Sequence, residues 1–305
     1  MQIAVLADIH GNLAALEAVA SEIERLRPDM VFVAGDFQNR GPNPREVTEF
    51  VFGSGWTLLR GNHEDYVIWQ SEERLPDDPV DYFNWLPARW TAELTGDFVN
   101  LIKQLPITTT FIGPNEIAVS VAHGSPRSNN EGFFPKTANA KAIEMIGRDP
   151  PGLLCVGHSH LPLVRQINST LLVNVGSVGF PFDGDPRASF GLITWNKDHW
   201  IAEIRRIGYQ IKEVIDELDE VNFYEGTGPL SRLIRRELES ARPHLAPFEC
   251  LFGTSVRNGS LSIHAAIKRY MEMPQTEIEA AFVYALNKQA DRATIGNRVP
   301  PPTAH

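Results

Sequence analysis

The stretch VAGDFQNRGP, residues 33–42, ends an apolar run at Gly35-Asp36 and continues as a polar loop carrying Arg40 and a Gly-Pro pair. Asp is a common turn former, so an ordinary turn would account for it. The other reading makes the strand a rigid post that holds Asp36 where something binds. The chain on either side decides between them.

Working outward, QIAVLA (2–7) reads as a short buried strand. GNLAALEAVASEIERLR (11–27) places Leu13, Leu16, Val19, Ile23 and Leu26 at helical spacing, and Pro28 closes that helix. MVFVA (30–34) is a second strand, Pro44 to Phe52 a second helix and WTLLR (56–60) a third strand. This β-α-β-α-β alternation predicts a parallel sheet with ligand-facing loops at the carboxyl ends of its strands. The segment 66–106 differs: Trp69, Trp85 and Trp90 stand among acidic residues and prolines, as in an irregular or helical insertion near the site. Core packing is the expected role of those tryptophans. Strand patterns return in ITTTFI, IAVSVA, LLCVG, LVRQI, TLLVNVG, FGLITW and HWIAEIRRI, several close enough for antiparallel hairpins, with one helix near 138–146. From Tyr209 the strand signal fades. IKEVIDELDEV, LSRLIRRELESA, LSIHAAIKRYMEM and QTEIEAAFVYALNKQADRA read as helices, and NRVPPPTAH as a frayed tail.

The polar residues that terminate the strands form a pattern. Strand ends deliver Asp8-Ile9-His10, Gly35-Asp36, Gly61-Asn62-His63-Glu64, His123-Gly124 and Gly157-His158-Ser159-His160. One histidine after a strand is usually a hydrogen-bonded loop residue. Here five of the nine histidines fall in such slots, while His199, His244, His264 and His305 lack the context and are read as ordinary. In extended backbone, residues i and i+2 point to one side, so Asp8 with His10 and His158 with His160 can each aim at one site. Asn62 and His63 should point apart, one toward a metal and one toward substrate. Neutral imidazoles and carboxylates without thiolate suit Mn, Fe, Zn or Ni. A bridging carboxylate lets two such cations approach to about 3.5–4 Å. Asp36, alone on the second strand between two candidate groups, is the natural bridge.

The order D-x-H, G-D, G-N-H-E, H, G-H-x-H resembles the signature of calcineurin-like metallophosphoesterases over residues 3 to about 205. GDFQNRGPNPREV and NVGSVGFPFDGDPRASFGLI look like the branch that groups diadenosine tetraphosphatase relatives, protein-phosphatase-like enzymes and small bacterial phosphodiesterases. The resemblance implies an α/β fold, a four-layer α/β/β/α sandwich of two mixed sheets flanked by helices. By the same resemblance Asp8, His10, Asp36 and His160 would hold one metal, and Asp36, Asn62, His123 and His158 a second. His63 would protonate the leaving group, and Arg40 would clamp phosphate. The protein serine/threonine phosphatases carry G-D-x-x-D-R-G, whose second Asp buttresses the catalytic His. Here that slot is Asn39, which cannot stabilise an imidazolium by charge.

The expected activity is therefore hydrolysis of phosphate mono- or diesters by in-line attack of a metal-bridging hydroxide, with two divalent transition-metal ions and manganese favoured. Dinucleoside polyphosphates and phosphoproteins stay open as substrates. A noncatalytic scaffold on the same fold would be expected to have lost ligands, and none is lost. A mononuclear zinc deaminase or peptidase would carry H-E-x-x-H or P-C-x-x-C, and neither occurs.

The 305 residues allow a phosphoesterase domain over 1–208 and a mainly helical C-terminal extension over 209–305. The extension's apolar stripe, with Ile278, Ala281, Phe282 and Ala285, is expected to pack on its own chain, a homo-oligomer being the alternative. A net charge of −10 argues against stable nucleic-acid binding, and the resemblance implies a phosphorylated small molecule or nucleotide as partner. Cys155 and Cys250 form no C-x-x-C pair and are expected to be buried thiols. No long apolar run or signal-like start occurs, so a cytoplasmic, membrane-free protein is expected.

Overall fold

In β1 (Gln2–Leu6) the side chains alternate between two buried environments. Ala4 and Leu6 pack with Leu16, Val19 and Val47, whereas Ile3 and Val5 pack with Phe32, Val121, Leu153 and Val173. A strand buried on both faces needs a layer on each side. The computed structural model describes residues 1–74, 76 and 78–292, with 79 and 285–292 described by backbone alone. The tail read at 297–305, His305 and the side chain of Ala285 therefore lie outside the described residues.

β1, β2 (Met30–Val33) and β3 (Thr57–Leu58) run parallel, as the alternation predicted. A second sheet follows in β4 (Thr108–Ile112), β5 (Ala118–Ala122), β6 (Leu153–Val156), β7 (Leu163–Ile167) and β8 (Thr170–Asn174). Then β9 (Ala188–Asn196) and β10 (His199–Ile207) return antiparallel to the first. The sheet orders are β10-β9-β1-β2-β3 and β4-β5-β6-β8-β7. The central strands of the second sheet are parallel, and its edge pairs β4-β5 and β7-β8 are antiparallel.

α1 (Leu13–Leu26) and α2 (Pro44–Gly53) cover the outer face of the first sheet. The side chain of Asn12 caps α1 by accepting from the Ala15 amide at 3.1 Å. The insertion is helical: α3 (Asn62–Ser71), α4 (Pro79–Thr95) and the single turn α5 (Val99–Ile102). α6 (Asn139–Ile146) covers the second sheet, with Ala142, Met145 and Ile146 against Leu154, Val156 and Leu172. The result is the expected four-layer α/β/β/α sandwich of two mixed sheets.

Six further helices follow among the described residues: α7 (Ile211–Glu220), α8 (Phe223–Thr227), α9 (Ser231–Ser240), α10 (Leu245–Arg257), α11 (Ile263–Met271) and α12 (Gln275–Arg292). The sequence reading did not include α8 or α10. α8 is a single turn, too short for periodicity, and α10 contains Pro247 and Gly253. Pro247 sits in the first turn, where its missing N–H has no intrahelical partner to lose. Val214, Leu218, Phe223 and Ile234 pack with Phe180 and Trp90, and Leu233, Phe248 and Tyr270 with Val80 and Phe83 of α4. Ile278 and Ala281 are buried in this chain, as expected of the stripe. Trp69 stacks on Trp85 at 5.4 Å between ring centroids. Cys155 is buried as expected, but Cys250, at the solvent side of α10, is exposed. No described helix is long and apolar enough to cross a membrane.

Candidate metal centre

The parallel strands of both sheets bring their carboxyl ends to one edge, where Asp8, His10, Asp36, Asn62, His63, His123, His158 and His160 converge. Three triads of metal-ligating atoms form there: Asp8-His10-His160, His10-Asp36-His63 and Asp36-His123-His158. Asp36 Oδ2 lies 3.9 Å from His10 Nε2 and 3.2 Å from His123 Nε2, so one oxygen faces both outer triads. Asn62 Oδ1 lies 3.0 Å from His123 Nε2 and 2.9 Å from His158 Nδ1.

The local backbone is not the extended one assumed from sequence. Asp8, His10, Asp36, His158 and His160 have φ of 55°, 51°, 54°, 67° and 57°. Non-glycine residues with positive φ are uncommon, and their clustering is a feature of functional sites. These left-handed turns remove the i, i+2 rule. Asp8 and His10 still share a triad, but His158 and His160 enter different ones. Asn62 and His63 do not lie in extended chain either; they open α3. The His63 amide donates to Asp36 Oδ1 at 2.8 Å, so the positive end of α3 helps hold the carboxylate charge.

Glu64 fixes this junction. Its Oε2 accepts from the Asp36 and Gly61 amides at 2.7 and 2.8 Å, and its Oε1 accepts from Gln38 at 3.1 Å. Gly61 has no room for a side chain, because a Cβ there would lie 2.1 Å from Asp36 Oδ1.

Backbone carbonyls set the imidazole orientations. His123 Nδ1 donates to Ala34 O at 2.8 Å and His160 Nδ1 to Phe180 O at 2.5 Å, which turns each Nε2 inward, where it offers a lone pair to a cation whenever the ring is neutral. His10 Nε2 and His160 Nε2 lie 3.1 Å apart. Asp8 Oδ1, buried without a hydrogen-bond partner, lies 3.9 and 3.3 Å from those two nitrogens. Buried acceptors facing one another need an electrophile between them. Asp and His oxygen and nitrogen donors suit a divalent transition metal, so the residues fit the expected ions.

Burial dominates the protonation states. It holds His10 well below its usual range, with His63 and His160 adding to the effect, and pulls His158 to about 4 and His63 to about 3. Burial also opposes charge on His123, but Asp36 at 3.2 Å outweighs it and pushes that imidazole up to about 10. Burial pushes Asp36 up, yet His123 and His63 prevail and hold it well below the usual carboxylate range. Without metal, a proton on His123 balances Asp36.

Asn39 Nδ2 meets His63 Nδ1 at 2.8 Å, while Asn39 Oδ1 accepts from the Arg40 amide at 2.8 Å. The amide is thereby oriented with its NH2 toward His63. Nδ1 must accept, and the proton of neutral His63 resides on Nε2. Arg40 Nη1 lies 3.2 Å from Glu237 Oε2. A cavity of about 400 Å³ opens onto the cluster, lined by Arg40, His63, Tyr66 and by Trp85, Glu237 and Leu245 of the overlying helices.

The structure brings every sequence-predicted site residue to this place. Of the histidines read as ordinary, His199 is exposed beside Asp198, His264 is exposed, and His244 bonds Tyr270 and Ser240. Sequence reasoning quoted Glu64 in the G-N-H-E block without giving it a role, and it missed Tyr66 and Glu237. Glu64 follows Gly61 by three residues, the spacing of a capping box, which was a usable signal. Glu237 looks like any charge on an amphipathic helix.

The profile described as "Calcineurin-like phosphoesterase superfamily domain" matches residues 1–198. An uncharacterized protein of Methanocaldococcus jannaschii is 31% identical over 238 residues, covering 71% of this chain and 91% of that one. The crystal structure of a metallophosphoesterase from Sphaerobacter thermophilus aligns with a TM-score of 0.60 at 26% identity, over 79% of this chain and 99% of that one. A hypothetical protein from Pyrococcus horikoshii OT3 aligns with a TM-score of 0.64 at 21% identity, over 80% and 99%, a likeness of fold.

Proposed function

Because the chain belongs to the calcineurin-like phosphoesterase superfamily, and is thus a metal-dependent hydrolase of phosphate esters, we propose that its strand-end cluster binds two divalent transition-metal ions, manganese in preference to iron, zinc or nickel. Asp8, His10, Asp36 and His160 hold one, and Asp36, Asn62, His123 and His158 the other. The observation that carries this reading is the single Asp36 Oδ2 facing His10 Nε2 at 3.9 Å and His123 Nε2 at 3.2 Å. Bound there, the cations supply charge to polarise a phosphoryl oxygen and to acidify a water into the nucleophile.

The remaining roles belong to side chains. Arg40 binds phosphate oxygens and stabilises the charge that builds on them. His63 lends its Nε2 proton to the departing oxygen as a hydrogen-bond donor. Asn62 Oδ1, 3.0 Å from His123 Nε2 and 2.9 Å from His158 Nδ1, converges with those nitrogens and would share the second cation with them.

The substrate is a small phosphate mono- or diester, a nucleotide included. The cavity of about 400 Å³ under helices α4, α9 and α10 supports this, since a folded phosphoprotein or a duplex would not fit beneath them. On this reading residues 1–208 carry the chemistry, and α9 and α10 of the extension supply part of the roof. The test is a panel of para-nitrophenyl phosphate, its bis-ester, diadenosine tetraphosphate and a phosphopeptide, with manganese and with chelator. Manganese-dependent hydrolysis of the small esters is expected. A phosphopeptide as the preferred substrate would overturn the small-molecule reading.

A further inference from the structure

We propose that Glu237, contributed by the C-terminal helices, is a positioning residue of the site: it holds the Arg40 guanidinium with its free edge toward the metal cluster. The proposal rests on reading the cluster as a phosphoester site and adds a residue outside the matched region 1–198.

Glu237 is 1% exposed, on α9. Its Oε1 accepts from the His244 and Leu245 amides at 2.8 and 3.0 Å, at the first turn of α10. Those two bonds stop the carboxylate from rotating and aim Oε2 at Arg40 Nη1, 3.2 Å away. His244 is itself braced, with Nδ1 2.9 Å from Tyr270 Oη and Nε2 3.0 Å from Ser240 Oγ. The anchor therefore draws on α9, α10 and α11.

Arg40 needs such an anchor. It lies in a loop at φ 75°, directly after Asn39 at φ 62°, and its side chain is only 16% exposed. A guanidinium has five N–H donors, and the contact with Glu237 occupies one terminal nitrogen. The other donors remain for a bidentate grip on phosphate. A fixed guanidinium loses less freedom when substrate arrives. A buried carboxylate also has the opposite possible effect, since it could compete with phosphate for Arg40, and the sign of one measurement separates the two.

Glu237→Gln keeps an oxygen acceptor for the two amides and removes the charge. Manganese-loaded wild type and variant are compared by calorimetric binding of inorganic phosphate and by kinetics on para-nitrophenyl phosphate. Positioning predicts unchanged metal content, phosphate affinity weaker by about tenfold, a rise in KM, and a fall in kcat as well, because Arg40 also meets the charge that builds in the transition state. In an Arg40→Ala background the same change should have no further effect. Unchanged or tighter phosphate binding overturns the proposal, the latter making Glu237 a competitor. An equal loss in the Arg40→Ala background makes it a purely structural tie. Phosphate affinity is read without turnover, so a wild type that binds phosphate but hydrolyses nothing refutes the phosphoesterase reading while leaving the Glu237 comparison decided on binding.

Discussion

The Asn39 amide, turned by the Arg40 backbone, donates into His63 Nδ1 at 2.8 Å. Protonating that nitrogen would set N–H against N–H, and burial already pulls His63 to about 3. A neutral donor helps little when nitrophenolate leaves and is a weak acid for an alkoxide. Asn39→Asp would supply an acceptor for Nδ1–H and a charge for the imidazolium. It is expected to raise the rate on an alkyl phosphate relative to para-nitrophenyl phosphate by about tenfold or more, within the usual range of general acid catalysis. An unchanged ratio of kcat/KM values would refute the donor argument. His63→Gln should retain both metals and lose more activity on the alkyl ester. Loss of an ion would instead make His63 a ligand, as the His10-Asp36-His63 triad permits. At this scale the sequence disclosed which residues converge, because Asp, Asn and His after apolar strands have few other reasons to recur. It did not disclose their directions, since positive φ at Asp8, His10, Asp36, His158 and His160 belongs to the folded turns and has no glycine to announce it.

Among the elements, the β3-α3 junction does most to place the bridge. Glu64 ties the Asp36, Gln38 and Gly61 amides together, and Gly61 leaves the space that Asp36 Oδ1 occupies. Gly61→Ala should push that carboxylate aside and weaken metal binding by about tenfold or more, the usual effect of disturbing the groups that orient a ligand. Wild-type affinity in a metal titration would contradict this. The C-terminal helices join the rest of the chain through rings such as Phe223, fully buried and 5.3 Å from Trp90 between centroids. Phe223→Ala is expected to lower unfolding free energy by about 3–5 kcal/mol in denaturant titrations. A loss below about 1 kcal/mol would show that this packing contributes little. Strands and long helices were legible because their periods of two and 3.6 are written in apolar residues. α8 and α10 were not: one turn carries no period, and Pro247 with Gly253 masks the other.

For the whole molecule, the buried histidines set a pH dependence. Burial holds His63 at about 3 and His158 and His244 at about 4, against about 6.5 in an unfolded chain. Between pH 6.5 and 4 the unfolded state binds more protons, so stability falls as pH falls. His123 acts oppositely without metal: its pKa of about 10 gives stability that is full below pH 6.5 and lost as pH rises toward 10. Metal-free protein should therefore show its highest urea midpoint near neutrality, and a midpoint that rises from pH 6.5 to 4.5 would contradict these assignments. Element order disclosed a parallel β-α-β-α-β unit and a strand-rich second half, and the resemblance of the strand-end motifs supplied the two-sheet sandwich. The roof over the site was not legible, because Glu237 meets Arg40 across 197 residues of sequence. The central claim is a two-metal centre bridged by Asp36, and it is tested most directly by metal analysis of purified protein equilibrated with manganese. The account predicts two ions per chain in the wild type and a loss of both in Asp36→Asn, whereas one tight ion per wild-type chain, or an Asp36→Asn variant that keeps both, would contradict it.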